Sequence, residues 1–226
     1  MISLMRRFLV PLAVALLTIT APTGASHAAP ILDQVFDPGP APTVSAGISG
    51  VTDKAQTFTV GIAGTLARVE VDIRRDDNTV IEPLLFDVRA TTAGGAPIES
   101  NSTTLASVSI AAASIPVTPG FVSVDVSAFG IPVTPGEILA IVLRKPGEPD
   151  VDYSWFGNQS GGYPAGAGYF RNPTAGFATW TPLGEEDLGF KTFVAVPAPS
   201  AVVLFAVGIG ALAGLTWRRH RRDWRG

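Results

Sequence analysis

From Leu66 to Ile73 the chain reads Leu-Ala-Arg-Val-Glu-Val-Asp-Ile, with Val69, Val71 and Ile73 alternating against Arg68, Glu70 and Asp72. Alternation with a period of two sorts side chains onto the two faces of a strand, whereas a helix scatters them around its axis. Phe121–Val126 repeats the pattern, with Val122, Val124 and Val126 on one face. Further strand candidates are Gln56–Val60, Leu84–Ala90, Leu105–Ile110, Ile138–Leu143, Asp152–Phe156, Phe177–Trp180 and Leu188–Val194. Turn-forming clusters separate them, among them Arg75-Asp-Asp-Asn78, Gly94-Gly95-Ala-Pro97 and Pro146-Gly147. No window carries a helical period. Roughly nine short strands predict an all-β domain, an antiparallel β-sandwich of jelly-roll type. Ile115-Pro-Val-Thr-Pro-Gly120 recurs as Ile131-Pro-Val-Thr-Pro-Gly136, and both copies read as similar turns leading into strands.

Composition narrows the chemistry. The chain has no Cys, so thiolate nucleophiles, disulfides and Cys-ligated metal sites are excluded. Its two His, His27 and His220, lie in the terminal segments. Only 15% of residues are charged against 46% hydrophobic, a balance that places part of the apolar content in lipid. Residues 29–196 hold nine Lys or Arg against eighteen Asp or Glu, a net charge of −9. An acidic middle argues against a nucleic-acid partner, which calls for a basic surface.

Both ends carry processing signals. Residues 1–28 read as a secretory signal peptide: Arg6 and Arg7, an apolar stretch from Phe8 to Ile19, and small residues at Ser26 and Ala28 before the cut. Residues 29–50, with four Pro and three Gly, read as a loose lead-in to a β-sandwich spanning 51–195. At the other end Val196-Pro-Ala-Pro-Ser200 precedes seventeen uncharged residues, 201–217, and then a basic tail over 218–226. Seventeen helical residues span about 25 Å, a little under a hydrocarbon core of about 30 Å. Arginines snorkel across such a deficit. The charges of Arg218, Arg219, Arg221 and Arg222 should stay cytoplasmic and act as a basic stop.

Signal peptide, globular middle, Val196-Pro197-Ala198-Pro199-Ser200, a short Gly/Ala-rich span and a terminal Arg run together resemble the PEP-CTERM family of bacterial exported proteins. Val196, Pro197, Pro199 and Ser200 match the sorting motif by position, while Ala198 stands where the commonest pattern has Glu. The resemblance implies an exosortase, a membrane cysteine protease, as partner. It also implies a route through the inner membrane of a Gram-negative bacterium to the cell surface or medium. A second resemblance covers Pro135–Leu143, Asp152-Tyr-Ser-Trp155, Trp180 and Asp187-Leu-Gly-Phe-Lys-Thr-Phe193, which look like a secreted jelly-roll module of bacterial surface proteins.

Within residues 153–180 fall eight of the fifteen aromatics of the middle segment. They surround the Gly-rich stretch Ser160–Tyr169 and the amides Asn158 and Asn172. Flat rings beside amides suit sugar binding, so Tyr163 and Tyr169, read as exposed platforms, and Asn158 and Asn172 form a candidate glycan site. Trp155 and Trp180 are expected in the core, each with a partner for its N–H. Asp150, Asp152, Glu185, Glu186 and Asp187 could ligate Ca²⁺, yet lack the spacing of a dedicated loop and read as surface carboxylates. No acid pair stands out, so no catalytic residue is assigned, and no metal site or cofactor is expected. The sequence therefore points to an exported, non-enzymatic matrix or surface protein that binds polysaccharide or serves structurally. A secreted carbohydrate-active hydrolase and a permanently membrane-anchored structural protein stand as alternatives.

Overall fold

The computed structural model of the protein describes residues 29–99, 103–159 and 162–197. Strands are numbered in chain order. The first seven are β1 Ile31–Phe36, β2 Val44–Ser49, β3 Asp53–Thr59, β4 Gly64–Arg75, β5 Leu84–Ala90, β6 Thr104–Ile110 and β7 Gly120–Asp125. The rest are β8 Ile131–Val133, β9 Ile138–Arg144, β10 Val151–Asn158, β11 Gly168–Asn172, β12 Phe177–Pro182, β13 Asp187–Leu188 and β14 Phe190–Ala195.

They form two antiparallel sheets. The first runs β1-β14-β4-β10-β13, with β2 added on β10 and with β7 and β8 on β4. The second runs β12-β11-β3-β9-β5-β6. The domain is all-β, a β-sandwich. Ile48, Leu66, Val69, Val71, Ile73 and Trp155 of the first sheet and Phe58, Phe86, Leu139, Ile141 and Leu143 of the second are almost wholly buried in one core. Burying each such side chain contributes about 1.5–3 kcal/mol. The alternation read in β4 is the one the fold uses, since Val69, Val71 and Ile73 point inward.

Two sequence expectations are corrected. Residues 29–50 are not a loose lead-in: they hold β1 and β2, and their prolines flank the strands instead of interrupting them. The two Ile-Pro-Val-Thr-Pro-Gly copies also differ. The second copy is itself strand β8 followed by a turn at Gly136, φ +89°, whereas the first runs into β7 at Gly120 without such a turn.

The first sheet turns on Gly189, between β13 and β14. Before it the chain pairs with β10, and after it with β4. The Gly189 carbonyl accepts the Asp72 N–H at 3.0 Å and the buried Trp155 Nε1–H at 2.9 Å, while its own N–H donates to the Phe156 carbonyl at 2.7 Å. A Cβ at Gly189 would lie 2.8 Å from Pro38 Cδ and 2.9 Å from Asp72 Cβ. Gly120 meets nothing within 4 Å of such a Cβ. Gly189→Ala should therefore cost about 1–3 kcal/mol in urea unfolding, as overpacking does. Gly120→Ala should stay within about 0.5 kcal/mol, as ordinary surface changes do. Equal losses at both positions would refute the crowding account.

Candidate functional site

The Gly-rich segment is built into the fold. Its described part, residues 162–169, lies along β3. The Thr57 N–H donates to the Ala167 carbonyl at 3.0 Å, the Ala167 N–H to Thr57 Oγ1 at 2.9 Å and Thr59 Oγ1 to the Ala165 carbonyl at 2.7 Å. A Cβ on Gly166 would sit 2.0 Å from the Thr57 carbonyl oxygen. Glycine here serves close approach of two backbones rather than freedom to wrap a ligand.

Tyr163 and Tyr169 are not exposed platforms; they retain only 7% and 8% of their accessible surface. Tyr163 enters the main core, edge-on to Phe190 with centroids 5.0 Å apart. Its hydroxyl donates to Gln34 Oε1 at 2.9 Å and accepts the Thr59 N–H at 3.3 Å. Tyr169 belongs to a separate cluster on the outer face of the second sheet. Ring hydrophobicity won over display, because each ring buries a large apolar area against the sandwich. The two amides are spent internally too. Asn158 Oδ1 accepts the Thr43 N–H at 3.0 Å and Asn158 Nδ2 donates to the Pro38 carbonyl at 3.2 Å. Asn172 Oδ1 accepts the Ala175 N–H at 3.1 Å, capping a short 3₁₀ turn, and Nδ2 donates to Thr52 Oγ1 at 2.8 Å. The four residues do not assemble one surface.

The acids resolve likewise. Asp152 pairs with the buried Lys145. Asp187 is buried with no cation partner among the described residues: its Oδ2 accepts the Tyr163 N–H at 2.8 Å and its Oδ1 accepts Gln56 Nε2 at 3.2 Å. Gln56 Oε1 in turn accepts the Leu188 N–H at 2.7 Å. Among the described residues no group of three or more His, Asp or Glu converges as a metal site would require.

Sequence reading missed a polar row on the outer face of the second sheet. Arg171 on β11 lies opposite Asp53 on β3, and Arg144 on β9 lies opposite Leu85 on β5. Because Lys54 pairs with Leu143, Asp53 and Arg144 are neighbours across the β3–β9 seam. Arg171 Nε bonds Asp53 Oδ2 at 3.1 Å, and its guanidinium carbon lies 5.5 Å from the Trp180 ring centre. One row further in, Asp87 is wholly buried and accepts Arg89 Nη2 at 2.6 Å, Arg144 Nε at 3.0 Å and Ser107 Oγ at 2.8 Å. Burial would raise the Asp87 carboxyl, but the bonds from Arg89, Arg144 and Ser107 outweigh it and hold the group below the usual range. Asp53, Leu85, Arg144, Arg171, Pro173 and Thr174 line a depression of about 300 Å³. The sequence signal was slight, a charged residue at one end of β3, at one end of β9 and near one end of β11 and the pair Asp87 and Arg89 on β5, and only strand pairing puts them together. Trp155 is core with a partner, as expected. Trp180 instead packs with Ala55, Ala140, Val142 and Tyr169 on the outer face, and its Nε1 has no partner among the described residues.

Val196, 36% exposed, and Pro197 follow β14 directly. Pro199, Ser200, Arg218, Arg219, Arg221 and Arg222, with the signal peptide and the apolar span, lie outside the described residues. Among the described residues no helix is long and apolar enough to cross a membrane. No protein-family model matches the chain, and no curated protein matches it.

Two tests follow from the buried groups. Burial pushes the phenols of Tyr153 and Tyr163 up to about 12. A raised folded value stabilises fully below the unfolded value of about 10 and is lost as pH rises toward 12. Absorbance titration at alkaline pH should therefore show two of the three tyrosines ionising late, together with unfolding; two ordinary titrations would contradict it. In Asp187→Asn, whichever way the new amide turns, a donor meets a donor. The change should cost about 1–3 kcal/mol and speed hydrogen exchange at the Tyr163 amide.

Proposed function

We propose that the protein is an exported, non-catalytic sandwich of jelly-roll type, carried to the cell surface or extracellular matrix of a Gram-negative bacterium. A sorting protease of exosortase type frees it from the inner membrane, and the domain there holds polysaccharide. The observation that carries this reading is the antiparallel pairing of β1 with β14, in which Ile31 lies opposite Val194. The first and last strands are neighbours, so the segment leading in from the signal peptide and the segment leading out to the sorting motif leave from one pole. Val196, the first residue of the proposed motif, follows β14 directly and so adjoins the folded domain. A domain tethered at one pole keeps the rest of its surface clear for the matrix.

Four of the eighteen acids of residues 29–196 are spent on internal partners, which favours a non-catalytic role for those four. Asp53 is engaged by Arg171, Asp87 by two arginines and a serine, Asp152 by Lys145 and Asp187 by Gln56 and the Tyr163 N–H. A glycosidase needs one carboxyl free to give a proton and another free to attack or to activate water.

Mass spectrometry of the protein recovered from the medium or cell surface should find no peptide beyond Ser200. Intact Arg218–Gly226 in that fraction would exclude sorting by cleavage. Replacing Arg218, Arg219, Arg221 and Arg222 by neutral residues should weaken retention at the inner membrane, since those charges fix orientation.

A further inference from the structure

The outer row of the second sheet has chemistry that the fold alone does not require. Three guanidiniums, those of Arg89, Arg144 and Arg171, face two carboxylates on that sheet, Asp53 and Asp87. Among the described residues the remaining positive charge is met by Glu99, 3.8 Å from Arg171 and with a side chain 40% exposed. Arg89 is sealed beneath the connection that follows β5, where it also donates to the Glu99 carbonyl at 3.3 Å. Arg144 and Arg171 keep side-chain exposures of 29% and 22%. Both line the depression of about 300 Å³, near the lower end of the range for ligand sites. Arg144 is held by the buried Asp87 and Arg171 by the partly buried Asp53, so both guanidiniums are fixed in place. Preorganised donors of this kind bind an anion without the entropy cost of ordering a free arginine. Pro146 and Pro173 stiffen the walls, and Leu85 and Val51 supply an apolar side. Fixed guanidinium donors beside a small apolar wall match a planar carboxylate carried on a ring.

We infer that this depression binds the carboxylate of a uronic acid unit in an acidic polysaccharide, with Arg144 and Arg171 as donors. The inference rests on the polysaccharide-binding reading above and moves its site from the tyrosine loop to the outer sheet. The net charge of −9 over residues 29–196 repels a polyanion at long range. Salt near 0.15 M screens that repulsion beyond about 8 Å, while contact bonds inside the depression persist.

The test is affinity electrophoresis of the full chain in a nonionic detergent, at 0.15 M salt, through gels containing one of three probes. These are polygalacturonate, its fully methyl-esterified form and dextran. Retardation should occur with polygalacturonate alone, and Arg144→Gln should weaken it at least tenfold. Arg144 also holds Asp87, so Pro146→Trp, which fills the depression from its exposed rim, should abolish retardation while the melting temperature stays near that of the parent. Equal retardation by the methyl ester or dextran, or full binding by Pro146→Trp, overturns the uronate site and leaves polysaccharide binding standing. No retardation by any of the three removes both. A peptide with a free C-terminal carboxylate that displaced polygalacturonate at lower concentration than galacturonate oligomers would also overturn the assignment to a sugar.

Discussion

A buried carboxylate held by neutral donors keeps the two sheets in register. Asp187 sits on β13 of the first sheet and takes its hydrogen bonds from Gln56 on β3 of the second and from the backbone of the Gly-rich segment. A desolvated carboxylate costs several kcal/mol unless donors replace its water, so the three elements must meet in one arrangement. Gln56 closes the loop by accepting the Leu188 N–H. One residue on, the Gly189 carbonyl gathers Asp72 and Trp155 and passes the chain from β10 to β4. Residues 187 and 188 thus lock Gln56 and the Tyr163 backbone, and residue 189 locks Asp72, Trp155 and Phe156. A slip of one residue would leave several buried donors unsatisfied at once.

The constraint explains why the aromatic-rich region is architecture. Tyr163 must follow the path on which its N–H reaches Asp187, and that path carries its ring into the core against Phe190. Its hydroxyl, partly buried there, is met by Gln34 and Thr59. Flat rings and glycines in one stretch carry the same composition whether they display a surface or seal one. What separates the cases is whether polar partners for the ring hydroxyls are waiting inside.

The second sheet uses its outer face differently. Its small residues Ala55, Ala140 and Val142 are covered by Tyr169 and Trp180, so the sheet is packed on both sides over that stretch. Charged residues at the neighbouring positions are accordingly half-buried and paired. Buried ion pairs are weak stabilisers, since desolvation offsets most of their attraction. Their clearer consequence here is rigidity, in that Arg144 and Arg171 are held with one edge toward solvent.

The sequence by itself determined the β class, the facing of β4, where Val69, Val71 and Ile73 alternate with charges, and the burial of Trp155, because these depend on local periodicity and on ring size. It misjudged residues 29–50, where prolines outside the strands masked the alternation within them, it misread the exposure of Tyr163 and Tyr169, and it did not show the internal partners of Asn158 and Asn172. Those side chains are placed by partners more than a hundred residues away for Gln34, Thr43, Thr52 and Thr59, and no local window contains them. The row Arg171, Asp53, Arg144 and Leu85 is likewise drawn from four strands scattered along the chain. Only the pairing of β11, β3, β9 and β5 brings it together, since strand register, unlike periodicity, is a long-range property set by which hydrogen bonds and buried side chains can be satisfied simultaneously.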